Sequence, residues 1–282
     1  MPLDYLLEER NLFTKTFDYK EGVYDFGKIM RRILMLSALI VFVLFGKSLK
    51  ILPLILSAIK LRHGFLRQFF LGLLLAVLSL LFYYSLAILF GAWIIHIDFY
   101  SAGVIISKLI EYTLLGCLIG FIEEAFFRGF VLQSFMEDMP LPIAVCTTSI
   151  IYSILHFFKA DVYVTTGFQA FVGFTTIVQF FKPIFLDFVR NLPSIVGYFL
   201  VGVVLSYAFI RTGSVYLSIG LHSGWVFMMK ADGMFLVRIR EKSGWIFGDS
   251  NLVTGIIIWI FLLCMLFVIR KIYSKTHLLE QT

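Results

Sequence analysis

Long apolar runs separated by short polar or basic stretches make up most of the chain. The clearest run extends from residue 69 to about residue 97, and a helix that crosses a membrane needs only about 20 apolar residues. Two shorter runs, at residues 33–46 and 51–59, precede it. The later apolar segments are residues 102–136, 143–158, 162–181, 193–210, 214–229 and 252–269. This pattern predicts an all-α fold, a polytopic transmembrane helix bundle of about six to eight helices.

The pattern also predicts a single membrane domain after a short N-terminal segment. Residues 1–27 are rich in acidic side chains, so we expect an amphipathic or soluble segment rather than a signal peptide. Residues 28–282 carry all the apolar runs and show no repeat or linker that would mark a second domain. Within them, residues 162–181 are rich in Thr and Gly and predict a short or re-entrant element. Residues 230–250 predict a soluble stretch.

Composition places the chain in a lipid environment. The chain has 282 residues, of which 60% are hydrophobic and 15% charged, whereas a soluble domain carries about 25% charged residues. The net charge of +6 comes from short basic clusters, notably at residues 28–32, 47–67 and 270–275. Such clusters are typical of topology signals and lipid-headgroup contacts. We therefore expect a multi-pass integral protein of the cell membrane with membrane lipids, and no nucleic acid, as partners.

Two adjacent glutamates stand inside one apolar helix. The run Phe-Ile-Glu-Glu-Ala-Phe-Phe-Arg, residues 121–128, contains Glu123, Glu124 and Arg128, and a charged side chain at membrane depth costs about 2.5–3.5 kcal/mol. Glu124 and Arg128 are four residues apart and can pair on a helix, while Glu123 points about 100° away. One carboxylate is therefore predicted to be held in an ion pair, and Glu123 is the candidate general base.

Two histidines lie in separate apolar segments further along the chain. Tyr152 and His156 are four residues apart and are predicted to share one helix face. His222 lies in Gly-Leu-His-Ser-Gly-Trp, residues 220–225, where the small residues permit close approach of another backbone or a substrate. With the glutamates, these histidines form the densest set of ionisable groups in the apolar segments, which indicates a functional site.

These residues resemble a known family, the intramembrane glutamic proteases of the CAAX prenyl protease and bacteriocin-processing (CPBP) group. The family pattern is Glu-Glu-x-x-x-Arg, then an aromatic residue four positions before a His, then a His-centred motif on a later helix. In this chain, residues 123–128, 152–156 and 212–225 resemble the three parts of that pattern in order. The resemblance covers about residues 115–229 and implies a protease core at about residues 104–229.

The resemblance implies an endopeptidase that cleaves membrane-associated protein or peptide substrates without a metal or other cofactor. Glu123 would take a proton from the attacking water, and His156 would orient that water. His222 would donate a hydrogen bond to the developing oxyanion, a role worth about 3–4 kcal/mol. Glu124 and Arg128 would position the site.

The chain departs from the family pattern at two positions. Tyr152 replaces the usual Phe and keeps the aromatic ring, while Val226 stands where the family often places Asn, four residues after the last His. Three interpretations remain open for the second departure: His222 acts with Ser223 or a backbone N–H, this branch runs the chemistry differently, or activity is lost.

Three other functions compete with this prediction. A zinc-dependent membrane protease would use the two histidines and a glutamate, although neither His belongs to an HExxH motif. A catalytically silent membrane scaffold or immunity-type protein of the same fold is motivated by Val226. A transporter is motivated only by the buried charges, and the absence of repeat symmetry in the sequence counts against it.

Overall fold

The computed structural model describes residues 51–61, 63–96, 100–157, 163–165, 170–248 and 252–274. It also describes residues 23–26, 29, 30, 33, 37, 40, 44 and 46. The predicted N-terminal segment and the predicted run at residues 33–46 therefore lie largely outside the described residues. The boundary at residue 28 between segment and domain stays a prediction.

The described part of the chain is mainly helical, which confirms the predicted all-α class. Its helices are α1 (Ile51–Ala58), α2 (Phe65–Leu89), α3 (Ala102–Phe126), α4 (Gln133–Asp138), α5 (Leu141–Leu155), α6 (Val172–Phe185), α7 (Phe188–Thr212), α8 (Tyr216–Phe235), α9 (Arg240–Phe247) and α10 (Ile256–Ile272). A π-helical segment, Phe127–Leu132, connects α3 to α4, and a 3-10 turn, Leu252–Thr254, precedes α10.

Among the described residues, three helical stretches are long and apolar enough to cross a membrane. They are Phe65–Leu89, Ala102–Asp138 and Phe188–Thr212, and α5 is a shorter apolar helix. Each corresponds to a predicted apolar segment, so the chain is an integral membrane protein. The predicted element at residues 162–181 is partly described and contains the start of α6, whose helix runs through Lys182 and Pro183.

The described part of the chain contains four short strands that the apolar pattern did not predict. β1 (Val23–Asp25) pairs antiparallel with β3 (Tyr163–Thr165), and β2 (Trp93–Ile95) pairs antiparallel with β4 (Leu236–Arg238). The predicted soluble stretch from residue 230 therefore contains regular secondary structure, and its place outside the membrane stays a prediction. Helix α8 continues to Phe235, and β4 then pairs with the strand that follows α2, because the two helices end side by side.

The chain divides into two compact units. One comprises Met1–Ser48 and Ile154–Asn191, and its described elements include β1, β3 and α6. The other comprises Leu49–Ser153 and Leu192–Thr282 and contains α1 to α4, α8 to α10, most of α5 and most of α7. The larger unit holds the buried ion pair described below.

Close backbone contact places α8 between α2 and α3 in the larger unit. An added Cβ on Gly220 would lie 2.0 Å from the Phe69 carbonyl oxygen, and one on Gly72 would lie 2.3 Å from the Leu217 carbonyl oxygen. Helices pack this closely only where a side chain is absent, as small residues allow in membrane proteins. These glycines therefore bring α2 and α8 into direct backbone contact.

The contact between α3 and α8 follows the same rule. Gly116 and Gly120, four residues apart on α3, face Ser223 of α8; an added Cβ on Gly120 would lie 2.6 Å from the Ser223 Oγ. Gly120 lies three residues before Glu123 and four before Glu124. Its contact with Ser223 therefore sets how closely α8 approaches the acidic end of α3.

Candidate active site

The predicted ion pair forms at the junction of α3 and the π-helical segment. Arg128 Nη1 donates to Glu124 Oε1 at 2.9 Å, and both side chains are fully buried. Helix α3 ends at Phe126, and the π-helical segment carries Arg128. Single π-helical turns inside helices are often found at functional sites.

Arg128 is held by more than its carboxylate partner. Its Nη2 donates to the Gly202 carbonyl oxygen on α7 at 3.0 Å. Its guanidinium also lies 5.0 Å from the centre of the Tyr152 ring and 5.8 Å from that of Phe127, within the range of cation–π attraction. Residues from α3, α5, α7 and the π-helical segment thus fix one guanidinium, and through it the Glu124 carboxylate.

His222 joins the two glutamates. Its Nδ1 lies 2.9 Å from Glu124 Oε1, and its Nε2 lies 3.9 Å from Glu123 Oε2. An ionised carboxylate paired with arginine can only accept hydrogen bonds. Nδ1 therefore donates to Glu124, and Nε2 is the ring nitrogen that faces Glu123.

Glu123 differs from its neighbour in its surroundings. Its side chain is 32% exposed, whereas that of Glu124 is fully buried. Glu123 Oε2 is itself buried and has no hydrogen-bond partner among the described residues. Buried polar atoms almost always have a partner, and each exception needs an explanation. A proton-accepting role toward a water or substrate is one such explanation.

The departure from the family pattern concerns the residues that follow His222 on α8, here Ser223 and Val226. Ser223 Oγ is buried, faces Gly120 on α3, and has no hydrogen-bond partner in the described part of the structure. Val226, one turn beyond His222, is partly buried and apolar. The structure thus contains a hydroxyl near the acidic end of α3 but no polar side chain at position 226.

His156 lies in the turn that directly follows α5 and is half-buried. It belongs to the smaller unit, whereas Glu123, Glu124, Arg128 and His222 all belong to the larger one. Its predicted role beside Glu123 therefore stays a prediction.

The structure adds two residues on α7 that sequence reasoning did not single out. Gly202 supplies the carbonyl that holds Arg128, and Tyr198, one helical turn earlier, is close enough to Glu123 for the two groups to interact electrostatically. Neither residue belongs to a charged or His-containing motif, so no sequence signal indicated them.

The zinc alternative needs three suitable ligands at one place. Among the residues that the structure describes, no three His, Cys, Asp or Glu side chains are grouped so that they could hold a metal ion.

Residues 105–228 match the protein family described as type II CAAX prenyl endopeptidase, Rce1-like. The matched segment contains the Glu-Glu-x-x-x-Arg motif and both His motifs up to His222, so the resemblance indicated by the motifs is confirmed. Comparisons with curated proteins and with solved structures find no match. The family supports a membrane protease of the CAAX type.

Proposed function

We propose that the protein is an intramembrane glutamic endopeptidase. The observation that carries the proposal is the environment of Glu123: a carboxylate oxygen buried without a partner among the described residues, 3.9 Å from a histidine nitrogen that is itself fixed by a buried ion pair. A carboxylate in such a place is not held in a close ion pair and can accept a proton from water.

In the proposed reaction, Glu123 takes a proton from a water molecule, and the oxygen of that water attacks the scissile carbonyl carbon. His156 orients the water, a role taken from the family resemblance. His222 stabilises the oxyanion that forms. Glu124 and Arg128 position His222, because their ion pair anchors its Nδ1.

The proposed substrates are membrane-associated proteins or peptides. The family description names a CAAX prenyl endopeptidase, so a prenylated peptide with a C-terminal Cys-aliphatic-aliphatic-X sequence is the first probe to use. A multi-pass arrangement in the cell membrane would deliver such lipid-anchored substrates to the site within the bilayer.

The Glu123→Gln variant tests the proposed base. We expect purified Glu123→Gln protein in proteoliposomes to lose cleavage of the prenylated peptide by at least about 10²-fold, the lower range for a general base. Glu111→Gln is the matched control, because Glu111 lies on the same helix in an exposed pair with Lys108. Wild-type cleavage by Glu123→Gln would refute the glutamate mechanism.

A catalytically silent scaffold of the same fold is the second candidate, favoured by Val226 at the position where the family often has Asn. Under this alternative, a Glu123→Gln, His156→Ala double variant expressed at the normal level would complement a deletion strain fully. Under the protease proposal, the same variant fails to complement.

A further inference from the structure

We propose that Glu123 and His222 share a single mobile proton and act as a general base and general acid pair. This inference rests on the proposed protease function and deepens it. It gives His222 a proton-donating role toward the leaving nitrogen in addition to a contact with the oxyanion.

The charge balance of the cluster is the first argument. Two carboxylates, Glu123 and Glu124, lie beside one permanent cation, Arg128, and beside His222, which is charged only when protonated. The nearby phenols Tyr152 on α5 and Tyr198 on α7 are neutral near pH 7 in their usual state. A net charge buried at low dielectric is costly. If His156 is neutral in its proposed water-orienting role, one proton beyond those of Arg128 makes this set neutral. Glu124 is ion-paired with Arg128, so either Glu123 or His222 can hold that proton.

The geometry restricts where that proton can reside. Glu124 accepts hydrogen bonds from both Arg128 and His222 on one oxygen, Oε1, at 2.9 Å each. Because Nδ1–H is committed to this oxygen, Nε2 is the only nitrogen of His222 that can gain or lose a proton. Glu123 Oε2, buried and without another partner in the described structure, lies 3.9 Å from Nε2. A side-chain rotation that shortens this separation by about 1 Å would bring the two atoms to hydrogen-bond length.

The reaction then balances within the cluster. In the competent form, Glu123 is a carboxylate and His222 an imidazolium. Glu123 takes one proton from water as the water oxygen bonds to the carbonyl carbon, and the Nε2–H of His222 hydrogen-bonds the oxyanion. The C–N bond breaks while Nε2–H passes its proton to the leaving nitrogen. Glu123 now carries the proton and His222 is neutral, and transfer from Oε2 to Nε2 restores the starting form.

A pair of substrates that differ only in their leaving atom tests this role. The probes are the prenylated CAAX-type peptide and its depsipeptide, in which an ester replaces the scissile amide. An amide nitrogen must be protonated to leave, whereas an alkoxide leaves with much less assistance. The test variant is His222→Gln, whose side-chain N–H can donate a hydrogen bond but cannot transfer a proton.

We expect His222→Gln to lose amide cleavage by at least about 10²-fold, as for removal of a general acid, and to lose ester cleavage by less than about tenfold. His63→Gln, which changes an exposed His before α2, serves as the control and retains both activities. Equal losses on amide and ester would overturn the general-acid role and leave His222 only a hydrogen-bond donor.

A measurement without substrate separates this inference from the proposed function. In wild-type protein labelled with ¹⁵N-histidine, we expect the Nε2 signal of His222 to show that this nitrogen holds the shared proton for part of the time. In Glu123→Gln one negative charge is removed, so the cluster is neutral without the mobile proton. The Nε2 signal of His222 therefore moves to that of an unprotonated nitrogen, while Nδ1 stays protonated. An identical Nε2 signal in both proteins would overturn proton sharing, even if no substrate is cleaved. Proton sharing without cleavage of either probe would instead count against the proposed protease.

Discussion

At the scale of single residues, two neighbouring glutamates have different environments because one helical step turns them in different directions. Glu124 points inward, where Arg128 and His222 both donate to its Oε1. Glu123 keeps part of its side chain exposed, and its Oε2, like that of Glu124, has no hydrogen-bond partner among the described residues. The difference in exposure and in bonding of Oε1 supports the proposal that Glu124 positions the site and Glu123 takes part in the chemistry.

We predict that Glu124→Gln destabilises the protein far more than Glu123→Gln does. Removing the Glu124 charge leaves Arg128 fully buried without its counter-ion, a change that costs about 3–5 kcal/mol. Removing the Glu123 charge leaves the buried Arg128–Glu124 ion pair intact and affects a histidine nitrogen 3.9 Å away. Thermal unfolding of both variants in the same detergent measures the difference. Equal melting temperatures would contradict the assigned roles.

At the scale of helices, close packing rather than polar contacts sets the position of the site. Glycines lie four residues apart on α3 at Gly116 and Gly120, and again on α8 at Gly220 and Gly224. Ser223 packs against the pair on α3, and the pair on α8 packs against α2. Because His222 is carried by α8, its distance from the glutamates on α3 depends on these backbone contacts.

We predict opposite effects for two alanine substitutions on α8. Gly220→Ala places a Cβ 2.0 Å from the Phe69 carbonyl oxygen, so α2 and α8 must separate, at a cost of about 1–3 kcal/mol or more. Gly233→Ala meets nothing within 4 Å and gains helix propensity of about 0.8–1 kcal/mol. Melting temperatures should fall for the first and stay level or rise for the second. A tolerated Gly220→Ala would show that α8 is not held this closely.

At the scale of the whole molecule, basic residues mark one end of the larger unit. Ser214, between α7 and α8, hydrogen-bonds Gln68 near the start of α2, and Arg211 at the end of α7 donates to the Ser274 carbonyl beyond α10. The ends of these helices therefore meet, and they carry Arg67, Arg211, Arg270 and Lys271. Arg238 and Arg240 lie beyond α8 at the other end, and from the positive-inside rule we predict that the end with Arg67, Arg211, Arg270 and Lys271 faces the cytoplasm.

We predict that this end and the β2–β4 end lie on opposite sides of the membrane. In a background with Cys117, Cys146 and Cys264 replaced by Ser, Ser274→Cys should react with an impermeant thiol reagent only from the cytoplasmic side. The side chain of Ile95 is exposed on β2, and Ile95→Cys should react only from the other side. Labelling of both from one side would contradict the arrangement.

The linear sequence determined the class of fold and the identity of the candidate site residues. Apolar runs of membrane-spanning length require helices, since a backbone in lipid must satisfy its own hydrogen bonds. The spacing of Glu124 and Arg128 likewise predicted their ion pair, because residues four apart are neighbours on any helix. Such local regularities need no knowledge of the rest of the chain.

Only the tertiary structure decided how these groups contact one another. The bond from His222 to Glu124, the Gly202 carbonyl beneath Arg128 and the β2–β4 pair each join residues far apart in the chain. Their positions follow from which helix faces come into contact, and that depends on glycine packing along whole helices. The sequence alone therefore named Glu123, Glu124, Arg128 and His222, and the fold determined which glutamate holds the histidine and which faces its free nitrogen.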